Sequence, residues 1–72
     1  MNESDLLHTL RELFDVPSDI KPATDLREYI KDSIDVGELV ATLNESYQLD
    51  LKLIDFKEVY TYADLKALLV TS

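Results

Sequence analysis

Leucines three and four residues apart constrain this chain more than any other feature. Leu6, Leu7, Leu10, Leu13 and Phe14 fall on one stripe of a helix running from about Glu3 to Phe14. Val36, Leu39, Val40, Leu43 and Tyr47 draw a second stripe, on a helix beginning at Ser33. Tyr62, Leu65, Leu68 and Leu69 draw a third, on a helix starting at Thr61. One-sided helices gain most of their stability from packing rather than propensity, so the three must share a core.

The punctuation between the stripes supports the same division. Asn2 or Ser4 is placed to cap the first helix, and Pro17 prevents its continuation. Asp32 is the N-cap expected for the second, with Asp35 in its first turn where the helix dipole favours negative charge. Gly37 lies inside this helix at a cost of about 1 kcal/mol relative to alanine. Thr61 and Asp64 form a near capping box for the last helix.

Two connections are less regular. Asp15 to Asp32 holds both prolines, yet Ile20, Leu26 and Ile30 imply that it packs down, with a short helical turn near Thr24-Asp25-Leu26. Leu49, Leu51 and Leu53 alternate as in a strand, but a lone strand has no partner here. Gln48 to Ile54 is therefore expected to be an apolar loop on the core, followed by a short helix over Asp55–Tyr60 capped by Asp55. The expected architecture is all-α: a small four-helix bundle of three main helices and one short one, with a long first loop, in a single domain over 1–72.

Size and charge narrow the function. A chain of 72 residues buries only about 60% of its unfolded surface, which leaves little room for a deep catalytic cleft. Its net charge of −8 opposes binding to nucleic acid or anionic membranes and favours encounter with basic protein surfaces. Without cysteine it has neither a disulfide framework nor a thiolate metal site. No apolar run is long enough to span a bilayer, and the acidic start lacks a signal-peptide pattern. A soluble, cytoplasmic monomer is the expectation, with no dedicated metal site because the acidic clusters lack calcium-loop spacing.

Ser33 stands out against this background. It opens a helix directly after an acidic residue, and nothing in the sequence supplies a catalytic partner. His8 lies on the polar side of the first helix, and a hydrolase built on Ser33 would lack a base, an orienting group and a glycine-rich oxyanion turn. A hydroxyl so placed suits a group delivered by another enzyme.

Asp32-Ser33-Ile34-Asp35 resembles the Asp-Ser-Leu/Ile-Asp/Glu signature of acyl carrier proteins. Asp35-Val36-Gly37-Glu38-Leu39-Val40 continues like that family's second helix, closing on the aromatic Tyr47. Leu13-Phe14-Asp15-Val16 is similar to the end of its first helix, and Thr61 to Leu69 to its last. The resemblance implies that Ser33 carries 4′-phosphopantetheine, transferred from coenzyme A by a phosphopantetheinyl transferase. It implies that Asp32 and Asp35 help this transferase recognise the site. Glu38 and Glu45 would extend an acidic face toward basic patches on acyl-transferring, ligating or condensing enzymes. Leu43, Val59 and Leu65 would line a cavity for an acyl chain. The chain itself would be a carrier and not an enzyme, in fatty-acid, polyketide or related lipid biosynthesis.

The sequence departs from the family pattern at four points. Ile30, followed by Lys31, stands where glycine is common, Gly37 and Ala41 replace larger apolar residues, and Leu51-Lys52-Leu53-Ile54 is less acidic than usual. These departures point toward a specialised stand-alone carrier beside a general fatty-acid one. The competing reading is an acidic helical interaction module without a prosthetic group, in which Ser33 is phosphorylated instead.

Overall fold

A computed structural model describes residues 1–70 of the chain. Three α-helices make the frame: α1 Glu3–Phe14, α2 Ser33–Tyr47 and α3 Tyr62–Leu69. Two short 3-10 turns, Leu26–Glu28 and Leu53–Phe56, lie in the connections on either side of α2.

The helices begin where their caps dictate. The Asn2 side chain, not that of Ser4, accepts the Asp5 N–H at α1. Thr61 accepts from the Asp64 N–H, while the Asp64 carboxylate accepts from the backbone N–H groups of Thr61 and Tyr60. Both longer helices end on a non-glycine residue in left-handed conformation, Asp15 (φ 56°) after α1 and Gln48 (φ 57°) after α2. Such a residue turns the chain away from the helix at some steric cost. At Gln48 the side chain offsets part of it by donating to the Glu45 carbonyl at 3.0 Å.

The shared core is built from the helical stripes. Leu6 and Leu10 of α1, Leu39 and Leu43 of α2, and Tyr62, Leu65 and Leu69 of α3 are buried together with Val16 and Leu26 of the first loop. Burying each such side chain contributes about 1.5–3 kcal/mol. Leu68, assigned to the apolar stripe of α3 on sequence, is exposed at the edge.

The long loop is stitched to the start of α3 by backbone. Leu26 N–H donates to the Tyr60 carbonyl at 2.8 Å, Tyr62 N–H to Thr24 at 3.0 Å, and Ala63 N–H to Pro22 at 2.9 Å. Asp25 and Thr61 thus form an isolated antiparallel bridge. These bonds satisfy donors that a buried loop would otherwise strand.

The fourth helix differs from its expected form. A 3-10 turn over Leu53–Phe56 replaces the short helix expected over Asp55–Tyr60. Lys57 N–H donates to Ile54 and Val59 N–H to Phe56, three residues back in each case, so the segment winds tighter than an α-helix. Asp55 reaches back to accept the Lys52 N–H at 2.9 Å rather than capping a helix of its own. The preceding apolar loop is only half packed. Leu49 and Leu51 lie against the core, whereas Leu53 and Ile54 are 56% and 67% exposed. Asn44 sets that division: its amide accepts the Leu51 N–H at 2.8 Å and donates to the Leu51 carbonyl at 3.0 Å, clamping the loop to α2.

A polar link ties α1 to α3. The Tyr62 hydroxyl, on a side chain only 2% exposed, donates to Glu3 Oε2 at 2.8 Å, and Lys66 Nζ lies 3.2 Å from the same oxygen. The Tyr62 hydrogen bond, then Lys66, holds the Glu3 carboxyl below its ordinary value of 4.5. Burial, then the bond to Glu3, pushes the Tyr62 hydroxyl above its ordinary 10.0. The Glu3 contribution is therefore complete above about pH 4.5 and is lost as pH falls through the lowered value. The Tyr62 contribution is complete below pH 10.0 and is lost as pH rises through the raised value. Tyr62→Phe is expected to lower the unfolding free energy by about 1 kcal/mol at neutral pH. Urea titrations should find a smaller loss once the pH has fallen below the lowered Glu3 value.

Candidate functional site

The start of α2 is fixed by two carboxylates acting in opposite directions. Asp32 is extended and its Oδ1 accepts the Asp35 N–H at 3.0 Å, satisfying a free donor of the first turn. The Asp35 carboxylate turns back, and its Oδ2 accepts the Lys31 N–H at 3.0 Å. The pair holds both sides of Ser33. Loop and helix therefore meet at a set angle, with Ser33 as the first helical residue.

Ser33 is exposed, and its side chain enters no hydrogen bond among the described residues. Ile34 beside it is 78% exposed, unusual for a large aliphatic side chain. No histidine approaches: His8 is on α1 and pairs with Glu12 at 3.0 Å on that helix's outer face. Among the described residues no cluster of three His, Asp or Glu side chains is arranged to hold a metal ion. The geometry presents an exposed hydroxyl at the capped start of α2.

A pocket of about 160 Å³ opens beside this turn. Leu26 and Ile30 from the long loop, Val36 and Leu39 from α2, Phe56 and Val59 after it, and Leu65 from α3 give it an apolar lining. Asp32, which adjoins Ser33, stands at its edge. An engineered cavity of about 150 Å³ suffices for benzene, so this volume matches an apolar group of about six carbons.

The residues singled out on sequence fall into three places. Asp32 and Asp35 bracket Ser33, each committed to a backbone N–H. Glu38 and Glu45 are exposed farther along α2, and neither enters an ion pair among the described residues. Val59 and Leu65 line the pocket. Leu43, grouped with them on sequence, is fully buried with Leu65 in the central cluster but lies outside the lining. Leu39, one turn earlier on the same stripe, takes that position instead. Sequence reasoning also missed the loop's share of the pocket. Leu26 and Ile30 were legible as apolar, but only the bridge to the start of α3 brings them opposite Val59 and Leu65.

Arg27 closes one side of the pocket in a fixed pose. Its guanidinium makes a forked pair with Asp25, at 2.9 and 3.0 Å, and lies 5.1 Å from the centre of the Tyr60 ring. The Arg27 side chain, then its backbone N–H, holds the Asp25 carboxyl below its ordinary range, and Asp25 raises the Arg27 value in turn.

Comparison with known proteins gives one match. The model of a family described as the phosphopantetheine attachment site matches residues 4–69. Neither curated proteins nor solved structures give a match.

Asp35→Ala is expected to free the Lys31 amide and loosen the entry to α2. Amide hydrogen exchange should show Lys31 losing its protection, with about 1 kcal/mol lost from overall stability. Unchanged exchange at Lys31 would show that another group holds the turn.

Proposed function

This chain belongs to the phosphopantetheine attachment-site family, and from that membership we propose that it carries acyl intermediates on an arm attached to Ser33. Members of this family are carriers rather than catalysts. The observation that carries the Ser33 assignment is its position: an exposed hydroxyl at the capped start of α2, beside an apolar pocket. When bound, 4′-phosphopantetheine supplies a terminal thiol that holds an acyl group as a thioester.

The chain's own residues do three things in this reading. Asp32 and Asp35 hold the turn so that Ser33 Oγ faces a phosphopantetheinyl transferase, which moves the arm from coenzyme A. Glu38 and Glu45 offer negative charge to basic patches on acyl-transferring, ligating or condensing enzymes. Charge complementarity speeds such encounters without making them tight, as a carrier that visits several enzymes requires. Val59 and Leu65, with Leu39 and Phe56, shelter the acyl group from water. The pocket volume favours short cargo, in fatty-acid, polyketide or related lipid biosynthesis.

Incubation with coenzyme A and a broad-specificity transferase should add one phosphopantetheine unit to the intact mass. Ser33→Ala should abolish the gain while leaving the helical circular-dichroism signal unchanged. A wild-type chain that stays unloaded beside an active transferase would favour the interaction-module reading, and loading of the alanine variant would move the site elsewhere.

Glu38→Lys is expected to slow acyl transfer by a cognate partner several-fold at low ionic strength, with most of the loss recovered in 0.5 M salt. Stopped-flow rates at two salt concentrations check this. A loss of equal size at both would argue against electrostatic docking.

A further inference from the structure

The pocket has a second property that its apolar lining does not explain. Arg27, Lys31 and Lys57 all line it, three of the seven basic residues in a chain of net charge −8. Arg27 is neutralised by Asp25. Lys31 and Lys57 are exposed, and neither enters an ion pair among the described residues. Asp32 is the one acidic residue in the lining, and its carboxylate is engaged as the cap of α2. The lining therefore holds three basic side chains against one acidic one, on a protein whose acidic residues outnumber its basic ones.

We propose that the pocket selects a short acyl group bearing a carboxylate, with its carbons on the apolar lining and the carboxylate against Lys31 and Lys57. This rests on the carrier reading above and adds the chemical class of the cargo. An apolar acyl group would use the lining alone and leave the two exposed ammonium groups to water. A fully hydrated anion would gain nothing from Leu26, Ile30, Val36, Leu39 and Phe56. Only a ligand with both characters uses the whole site, and about six carbons fill its volume. Tyr60, which lies against the Arg27 guanidinium, also lines the pocket.

The phosphate of the arm is the other anion that the lysines could meet. It differs in being present whatever the cargo, so matched cargoes separate the two sources. The test uses hexanoyl and adipoyl groups, equal in carbon count and differing in a terminal carboxylate. Each is loaded on Ser33 from its acyl-coenzyme A by a broad-specificity transferase, which joins the acyl-phosphopantetheine phosphate to Ser33 Oγ and releases adenosine 3′,5′-bisphosphate, and thioester cleavage by hydroxylamine is followed by intact mass. Chemical-shift changes at Val59, Leu65 and Lys57 are recorded on the same samples. The adipoyl group should be protected roughly five-fold more than the hexanoyl group, the scale of two exposed ion pairs. The preference should disappear in the double variant Lys31→Gln, Lys57→Gln and shrink in 0.5 M salt.

Equal protection of the two cargoes in the wild-type chain would overturn the proposal. So would an equal effect of the double variant on unacylated, hexanoyl and adipoyl protein, which would assign the lysines to the phosphate. Failure of loading is visible separately as an unchanged mass and would count against the carrier reading. In that event, titration of the unmodified chain with adipoyl- and hexanoyl-pantetheine tests the pocket alone. The same shift preference for the carboxylate would sustain the proposal, and its absence would end it.

Discussion

The backbone bridge between the long loop and the start of α3 is the constraint on which the site depends. Three hydrogen bonds, from Leu26, Tyr62 and Ala63, fasten a loop that holds one short 3-10 turn to the mouth of a helix. Their effect is geometric. They bring Leu26 and Ile30 over the gap between α2 and α3, so that gap has a third wall and becomes a pocket. They also place Arg27 against Tyr60. Without the bridge, the three helices would still share a leucine core, but little would remain beside Ser33 to shelter a ligand.

The same economy appears at the start of α2. Two aspartates three residues apart satisfy a helix-end donor and anchor the approaching loop, and Ser33 stands between them. Acidic residues flanking Ser33 are read from the sequence as recognition elements. Here both have a structural task as well, so substitution at either position confounds recognition with positioning. Glu38 and Glu45 lack that double duty among the described residues, which makes them the cleaner probes of electrostatic docking.

Much of this architecture was legible in the sequence because it is local. Helical spacing marked the cores of α1, α2 and α3, and caps within three residues marked where they begin. Ser33 stood out for the same reason, as a hydroxyl at a predictable helix start. What was illegible is what depends on distant partners. The bridge pairs Asp25 with Thr61, which no periodicity encodes. The Asn44 clamp on Leu51 decides how far the apolar loop packs, and an asparagine late in a helix gives no hint of it. The short helix expected at Asp55 failed because its carboxylate served the Lys52 amide, and a tighter turn formed earlier. The substitution of Leu39 for Leu43 in the pocket follows from which turn of α2 the loop happens to cover.

The two 3-10 turns have a mechanical consequence. The pocket is bounded by α2 and, through Leu65, by α3, whose hydrogen-bonded turns resist bending, and elsewhere by loop residues with Leu26 and Arg27 of one turn and Phe56 of the other. Turns held by a few bonds of poorer geometry yield at lower energy than a helix does. Enlarging the pocket therefore strains its compliant walls and leaves the helical ones, with Ser33 at the start of α2, where they were. The start of α2 behaves as a fixed jaw, and the volume beside it is set by a spring.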